Sequence, residues 1–413
     1  MRILHLAKHE NSGAGRAALR LHQGLLKIGA NSQALVDEKK SALRSVIKAK
    51  LRSARLTELE YLLVNKFLNK RLAEKADFFS INITPSLLLG QIKDLQPDII
   101  NLHWVGSEFI RIEELRKLNT PLVWTLQDMW PFTGGCHYNQ GCQKYVHSCG
   151  NCPQLVGDKQ HDLSSVVWQR KADTWKDLNL TVVGPSSWIS QCARTSALLK
   201  DRRVETISFT LDTDLYRPTE PSVARQVLRL PQDKLLILFG ALRATDDYRK
   251  GFHLLQPALQ KISQSKLSDQ IAFVVFGSSK PENPVDLGCD TYYLGHLYDD
   301  LSLALAYSAA TVMVVPSVQE SFGQTASEAL ACGTPVVAFN ATGLMDIVDH
   351  CKNGYLATPY EIEDLARGIT WVLENSIQNN QLRLNARDKA EKAFALELQA
   401  HHYKALYSEI LNR

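Results

Sequence analysis

The 413-residue chain carries a formal net charge of +4, with 45% apolar and 22% charged residues. That composition excludes a disordered or fibrous chain, and the length exceeds one ordinary core, so two domains of roughly 200 residues are expected. No apolar run reaches the ~20 residues of a membrane-spanning helix, and a mild basicity without an aromatic-interleaved stripe argues against a nucleic-acid partner.

In chain order, the first half reads as strands RILHLA, SQALVD, DIINLHW, LVWTLQD and LTVVGPS separated by helix-periodic segments. The opening lacks the charged and apolar regions of a signal peptide, so a cytoplasmic protein is expected. After the first strand, the loop HENSGAGRAALR offers Gly13 and Gly15 but Ala18 where a third glycine would complete a dinucleotide fingerprint. It suits a turn that brings a helix start towards an anion. Residues 39–75 follow, with eleven Lys or Arg against three Glu and helical spacing of Leu, Ile and Val. That segment reads either as a solvated helix face over the core or as a contact with an anionic membrane surface, at the inner face of the plasma membrane. His103 ends one strand; Gln127 and Asp128 end the next.

Cys136, Cys142, Cys149 and Cys152 lie within seventeen residues as C-x5-C-x6-C-x2-C, with His137 and His147 among them. In a cytosolic protein three readings stay open: a structural zinc of four thiolates, free thiols, or redox pairs. The remaining cysteines, Cys192, Cys289, Cys332 and Cys351, are scattered and read as small buried residues.

Pro, Thr and Asp cluster around residues 206–220, which separates an amino-terminal domain (1–205) from a second domain (221–384). The latter carries strands LLILFGA, IAFVVFGS, TYYLGH, TVMVVPS and TPVVAF; residues 385–413 read as helix expected to pack back toward the first domain. Strands alternating with helices predict an α/β protein of two Rossmann-like, doubly wound domains facing a central cleft, with ligands at the carboxyl ends of the strands. Three such ends attract attention. Arg243, Arg249 and Lys250, before Gly251, suit a diphosphate. Gly277 and Ser278 could admit a nucleobase. In PSVQESFGQTASEALACGTPVVAF, Glu320 precedes a helix beginning near Phe322, and Glu328 falls roughly 9 to 12 Å further along it at 1.5 Å per residue. One carboxylate can then take sugar hydroxyls, the other the ribose hydroxyls, with the helix start between them for the phosphates.

ESFGQTASEALACGTPVVAF, the RKG loop and NGYLATPYEIEDLARGI resemble the donor domain of glycosyltransferase family 4, retaining enzymes of the GT-B fold. DIINLHWVGSEFI and the stretch from TLQD to NCPQL resemble a subgroup of exopolysaccharide and lipopolysaccharide assembly. The resemblance implies a UDP- or GDP-sugar donor, a glycan or lipid-linked oligosaccharide acceptor, and no obligatory metal. It places Ser321, Phe322, Gly323 and Gln324 against the transferred sugar and His103 and Asp128 on the acceptor side. Three positions depart from the family pattern: Gln127 stands where His is common, the linker reads Ser208 to Asp212 in place of PNGID, and Ala241 replaces the Arg that usually follows Gly240. The diphosphate Arg is then Arg243 or Arg249.

Overall fold

The computed structural model describes residues 1–50, 54–74, 76–157, 160–241, 245 and 247–413, with side chains of the 54–69 helix described from residue 62. The chain forms two compact units, Met1–Thr210 with Gln399–Arg413, and Leu211–Leu398.

The first unit holds one parallel sheet of β1 (Arg2–His9), β2 (Asn31–Glu38), β3 (Val46–Lys48), β4 (Ile99–Leu102), β5 (Leu122–Thr125), β6 (Leu180–Gly184) and β7 (Arg203–Thr206). They lie in the order β3-β2-β1-β4-β5-β6-β7. The second unit repeats the plan with β8 (Leu235–Gly240), β9 (Ile271–Phe276), β10 (Asp290–Gly295), β11 (Val312–Val315), β12 (Val336–Phe339) and β13 (Gly354–Ala357), ordered β10-β9-β8-β11-β12-β13. Both orders reverse beside their first strand, at β1/β4 and β8/β11, and in doubly wound sheets ligands bind at that switch, outside the carboxyl ends.

Helices cover both faces, so the central strands bury every residue: Ile99–Leu102, Leu122–Thr125, Ile271–Phe276 and Val312–Val315 are wholly buried. That is why they read as largely apolar runs. Three strands that the sequence reading omits, β3, β7 and β13, all stand at sheet edges. An edge strand with one solvated side has no continuous apolar run; β7, RVET, has no fully buried residue.

Residues 39–75 do not form one helix: Val46–Lys48 is the edge strand β3, and the helix spans Ala54–Asn69. The division between units follows Thr210, and the last helix, Leu396–Leu411, carries residues 399–413 into the first unit. There Tyr403, Leu406, Tyr407 and Ile410 pack on Ile3, Ile99, Val123 and Val183. The Asn101 amide donates to Tyr407 Oη at 2.6 Å, and Thr125 Oγ1 lies 3.1 Å from Tyr403 Oη. Cys192 and Cys332 are buried as expected of scattered cysteines, whereas Cys289 is half-buried and Cys351 exposed.

Candidate active site

The β8/β11 switch gathers the residues with the most developed chemistry. The turn Tyr248–Lys250 follows β8 in the chain, and Asp247 caps it by accepting from Arg249 N–H. Gly251 follows at φ +74°, and a Cβ there would lie 1.8 Å from the Pro316 carbonyl oxygen. Only glycine lets this turn press against the end of β11. The two loops are tied further by Val318 N–H donating to the Arg249 carbonyl at 2.8 Å. Across this seam Lys250 Nζ donates to Glu320 Oε1 at 2.6 Å, and Ser317 Oγ donates to the same oxygen at 3.1 Å. The Glu320 backbone is held by its N–H to Thr342 Oγ1 and its carbonyl to Gly343 N–H. Burial pushes the Glu320 carboxyl up, but the Lys250 ammonium, with Arg249 and Ser317, more than offsets it, so the group lies below its ordinary value. Its side chain is 16% exposed, an ionised carboxylate at the rim of the site.

The helix Gln324–Ala331 starts next, with Gly323 at φ +110° as its cap. A Cβ at Gly323 would meet Leu344 Cδ2 at 2.6 Å, so the turn is glycine for backbone and packing alike. Gln324 and Thr325 are half-exposed at the helix start, while Ala326 to Ala331 are buried. Phe322 sends its ring into the core, edge-on to Phe394 at 5.5 Å. Glu328 is buried, and Tyr307 Oη donates to its Oε2 at 2.8 Å. Tyr307 is itself fixed by its carbonyl, which accepts from Thr334 Oγ1, and by the ring of Phe276 packed edge-on at 5.7 Å. Sequence reasoning missed Tyr307, Ser317 and Thr342, because no local spacing links a tyrosine in an apolar helix to a carboxylate 21 residues on.

Arg249 binds Asp247 with its guanidinium at 2.6 Å, and its charge helps to lower the Glu320 carboxyl. Arg243 lies outside the described residues. Gly277, at φ +78°, follows β9, and a Cβ would stand 2.0 Å from the Ala241 carbonyl oxygen. Contact with the chain's own backbone accounts for this glycine; Ser278 Oγ meets Thr245 Oγ1 at 3.0 Å.

In the first unit the candidates at strand ends turn inward. Gly15 is required because a Cβ would sit 1.9 Å from the His9 carbonyl oxygen, and its N–H donates to the cap Ser12; Gly13, at the helix start, is exposed. His103 is buried, with Nε2 2.9 Å from His5 Nδ1 and Nδ1 3.3 Å from the Gln127 amide nitrogen. Burial holds its pKa down to about 3, so it is a neutral link in a Gln127–His103–His5 chain. Asp128 is committed as well: Oδ2 accepts from Trp104 Nε1 at 2.8 Å and meets His137 Nδ1 at 2.6 Å, while Oδ1 accepts from Trp130 N–H. His137 Nε2 continues to Ser80 Oγ at 2.8 Å. His103 and Asp128, the acceptor-side candidates, thus make internal hydrogen bonds that tie neighbouring strand ends and loops together.

Residues 223–389 match the sequence family described as glycosyl transferases group 1. A D-inositol 3-phosphate glycosyltransferase of Nocardioides sp. is 30% identical over 227 residues, covering 50% of this chain and 48% of that protein. The chain thus spans about half the length of the curated relatives it matches. Among solved structures, sucrose-phosphate synthase from Thermosynechococcus elongatus superposes with a TM-score of 0.72 at 20% identity over 100% of this chain and 99% of that one. Anabaena HepE in complex with UDP and glucose gives 0.65 at 18%, covering 99% of both chains. The fold is GT-B. The group 1 match contains Lys250, Tyr307, Glu320 and Glu328 together.

Outside the group 1 match, the four clustered cysteines line one cavity of about 20 Å³, with Thr133, Gly134 and Ser164. Cys149 Sγ accepts from Gly134 N–H at 3.1 Å, and Cys152 N–H donates to Asp162. Among the described residues, however, no three His, Cys, Asp or Glu side chains are placed to hold one metal ion, so the zinc ligand set suggested by the spacing is not formed. His137, which lies among the cysteines in the sequence, is engaged with Asp128 and Ser80. A lysine that the sequence reading did not single out stands beside the thiols: Lys171, wholly buried, donates to the carbonyls of Trp130 and Thr133, lies 3.8 Å above the Trp130 ring, and is brought down by burial to a pKa of about 7.

Proposed function

We propose that the chain is a retaining glycosyltransferase that moves a hexose from a nucleoside diphosphate sugar to a glycan or lipid-linked acceptor in cell-surface polysaccharide synthesis. The observation that carries this reading is the Lys250–Glu320 pair at the β8/β11 switch, with the Tyr307-bound Glu328 one turn into the helix that starts at Gln324. Lys250 supplies the cation for the departing diphosphate, helped by the helix start at Gln324, which is electrostatic stabilisation by groups already in position. Glu320 accepts from a hydroxyl of the transferred sugar, and Glu328, held in place by Tyr307, takes the ribose hydroxyls. The bond from the anomeric carbon to the diphosphate breaks as the acceptor oxygen bonds the same face. The acceptor proton passes to the departing phosphate oxygen. A UDP-sugar is the favoured donor, supported by the UDP-bound HepE neighbour; a GDP-sugar is the other candidate.

The test is nucleoside diphosphate release from UDP-, GDP- and ADP-sugars, comparing wild type with Glu328→Ala. Release from one donor, lost in the variant, is expected. Thermal stabilisation by a donor without release, whatever acceptor is added, would replace the enzyme with a nucleotide-sugar-binding subunit. Conversion of the intact donor without acceptor would indicate an epimerase.

A further inference from the structure

From residue 62 onward the helix Ala54–Asn69 has apolar residues on two sides, and among these described residues one side packs on the core. Val64 and Leu68 face inward against the first unit's main cluster. At 3.6 residues per turn, Leu62 and Lys66 lie opposite them. Leu62 is 56%, Leu63 59% and Phe67 40% exposed. The surface continues past the helix end: Arg71 lays its guanidinium 3.7 Å from the Phe67 ring centroid, and the Arg71 carbonyl accepts from the N–H of Val156, itself 68% exposed. Between residues 62 and 73 the cations Lys66, Lys70 and Arg71 have no carboxylate among them. All three are exposed.

We infer that this face docks on an anionic lipid bilayer, with Leu62, Leu63 and Phe67 entering the headgroup boundary and Lys66, Lys70 and Arg71 meeting lipid phosphates. Exposed apolar side chains interleaved with cations match a planar negative surface that takes apolar groups between its headgroups. A second copy of the chain fits worse. An isologous contact would set the same three cations against each other, and like charges at an interface are repelled. The described part of the face is two turns of one helix and a neighbouring valine, against the roughly 800 Å² per partner of a stable protein interface. The inference does not depend on the proposed reaction.

The experiment is co-sedimentation of the full chain with vesicles of phosphatidylcholine alone and of phosphatidylcholine mixed with phosphatidylglycerol. Binding at least tenfold stronger to the mixed vesicles is expected, weakening about fivefold for each of Lys66→Ala and Lys70→Ala and falling as salt is raised. The indole of a Leu63→Trp variant should shift to shorter emission wavelength on mixed vesicles only. Because these side chains are exposed, a Leu62→Asn/Leu63→Asn/Phe67→Asn variant should keep the wild-type melting temperature and lose the binding. Binding that is absent in wild type, indifferent to lipid charge, or unchanged in the triple variant would overturn the inference. So would a dimer in light scattering that the triple variant abolishes, which would assign the face to a second copy.

Discussion

Tyr307 and Lys250 serve Glu328 and Glu320 in different ways, and kinetics separates them. Tyr307→Phe removes one hydrogen bond from Glu328 and leaves the packing. A cost of about 1 kcal/mol predicts a roughly fivefold rise in donor KM with kcat nearly unchanged. Lys250→Met removes the cation that faces the charge developing on the diphosphate. Here kcat should fall by about 10²–10³-fold, and steady-state kinetics on the released nucleotide would show it. Equal effects of the two substitutions on KM alone would contradict the division of roles. The buried histidines make a separate prediction. Burial lowers the pKa of His5, holds His22 at about 4 and holds His103 at about 3. Each is neutral when folded and takes up a proton only after unfolding, so the unfolded chain binds more protons as pH falls below about 6.5. Their stabilising contribution is complete above that pH and is lost through the window down to about 4. Urea midpoints between pH 7 and 5 should fall, and His22→Asn should flatten the slope by about a third.

The last helix is the element on which the first unit depends most visibly. Residues 399–413 close the apolar surface over Ile3, Ile99, Val123 and Val183 while satisfying Asn101 through Tyr407. Tyr407→Ala should destabilise by about 3–5 kcal/mol, a large buried ring lost together with a hydrogen-bond partner. Tyr407→Phe, which keeps the ring and strands the Asn101 donor, should cost about 1–3 kcal/mol. Denaturant unfolding of both variants would measure the difference; equal losses would mean that packing is all that matters. The sequence announced an amphipathic helix from about residue 385, but its partner strands lie some 200 to 400 positions away. Their pairing is a long-range fact that no local pattern carries. The same limit hid β3, β7 and β13, whose edge positions leave them without the apolar run of a covered strand.

Across the whole molecule, the two units have separate cores, and the candidate donor residues all belong to the second. Calorimetry should therefore resolve two transitions. A saturating nucleotide should raise only that of 211–398, by about 2.7 kcal/mol at a hundredfold excess over Kd, while Tyr407→Ala should lower only the other. The sequence alone determined the alternation of strand and helix, because buried parallel strands must be apolar throughout and parallel crossovers need helices. It also placed Lys250, Glu320 and Glu328 at or beyond strand ends, since loop–helix junctions have local signatures in Gly and polar residues. Tertiary structure decided which groups remain open to a ligand. His103, Gln127 and Asp128 sit at strand ends as the sequence indicates, yet burial forces their polar atoms onto internal partners. The four cysteines meet round one cavity as their spacing suggested, but spacing along a chain does not fix where thiols point. In the 39–75 segment, composition gave the charge, and only packing decided that Val64 and Leu68 turn inward while Leu62, Leu63 and Phe67 remain outside.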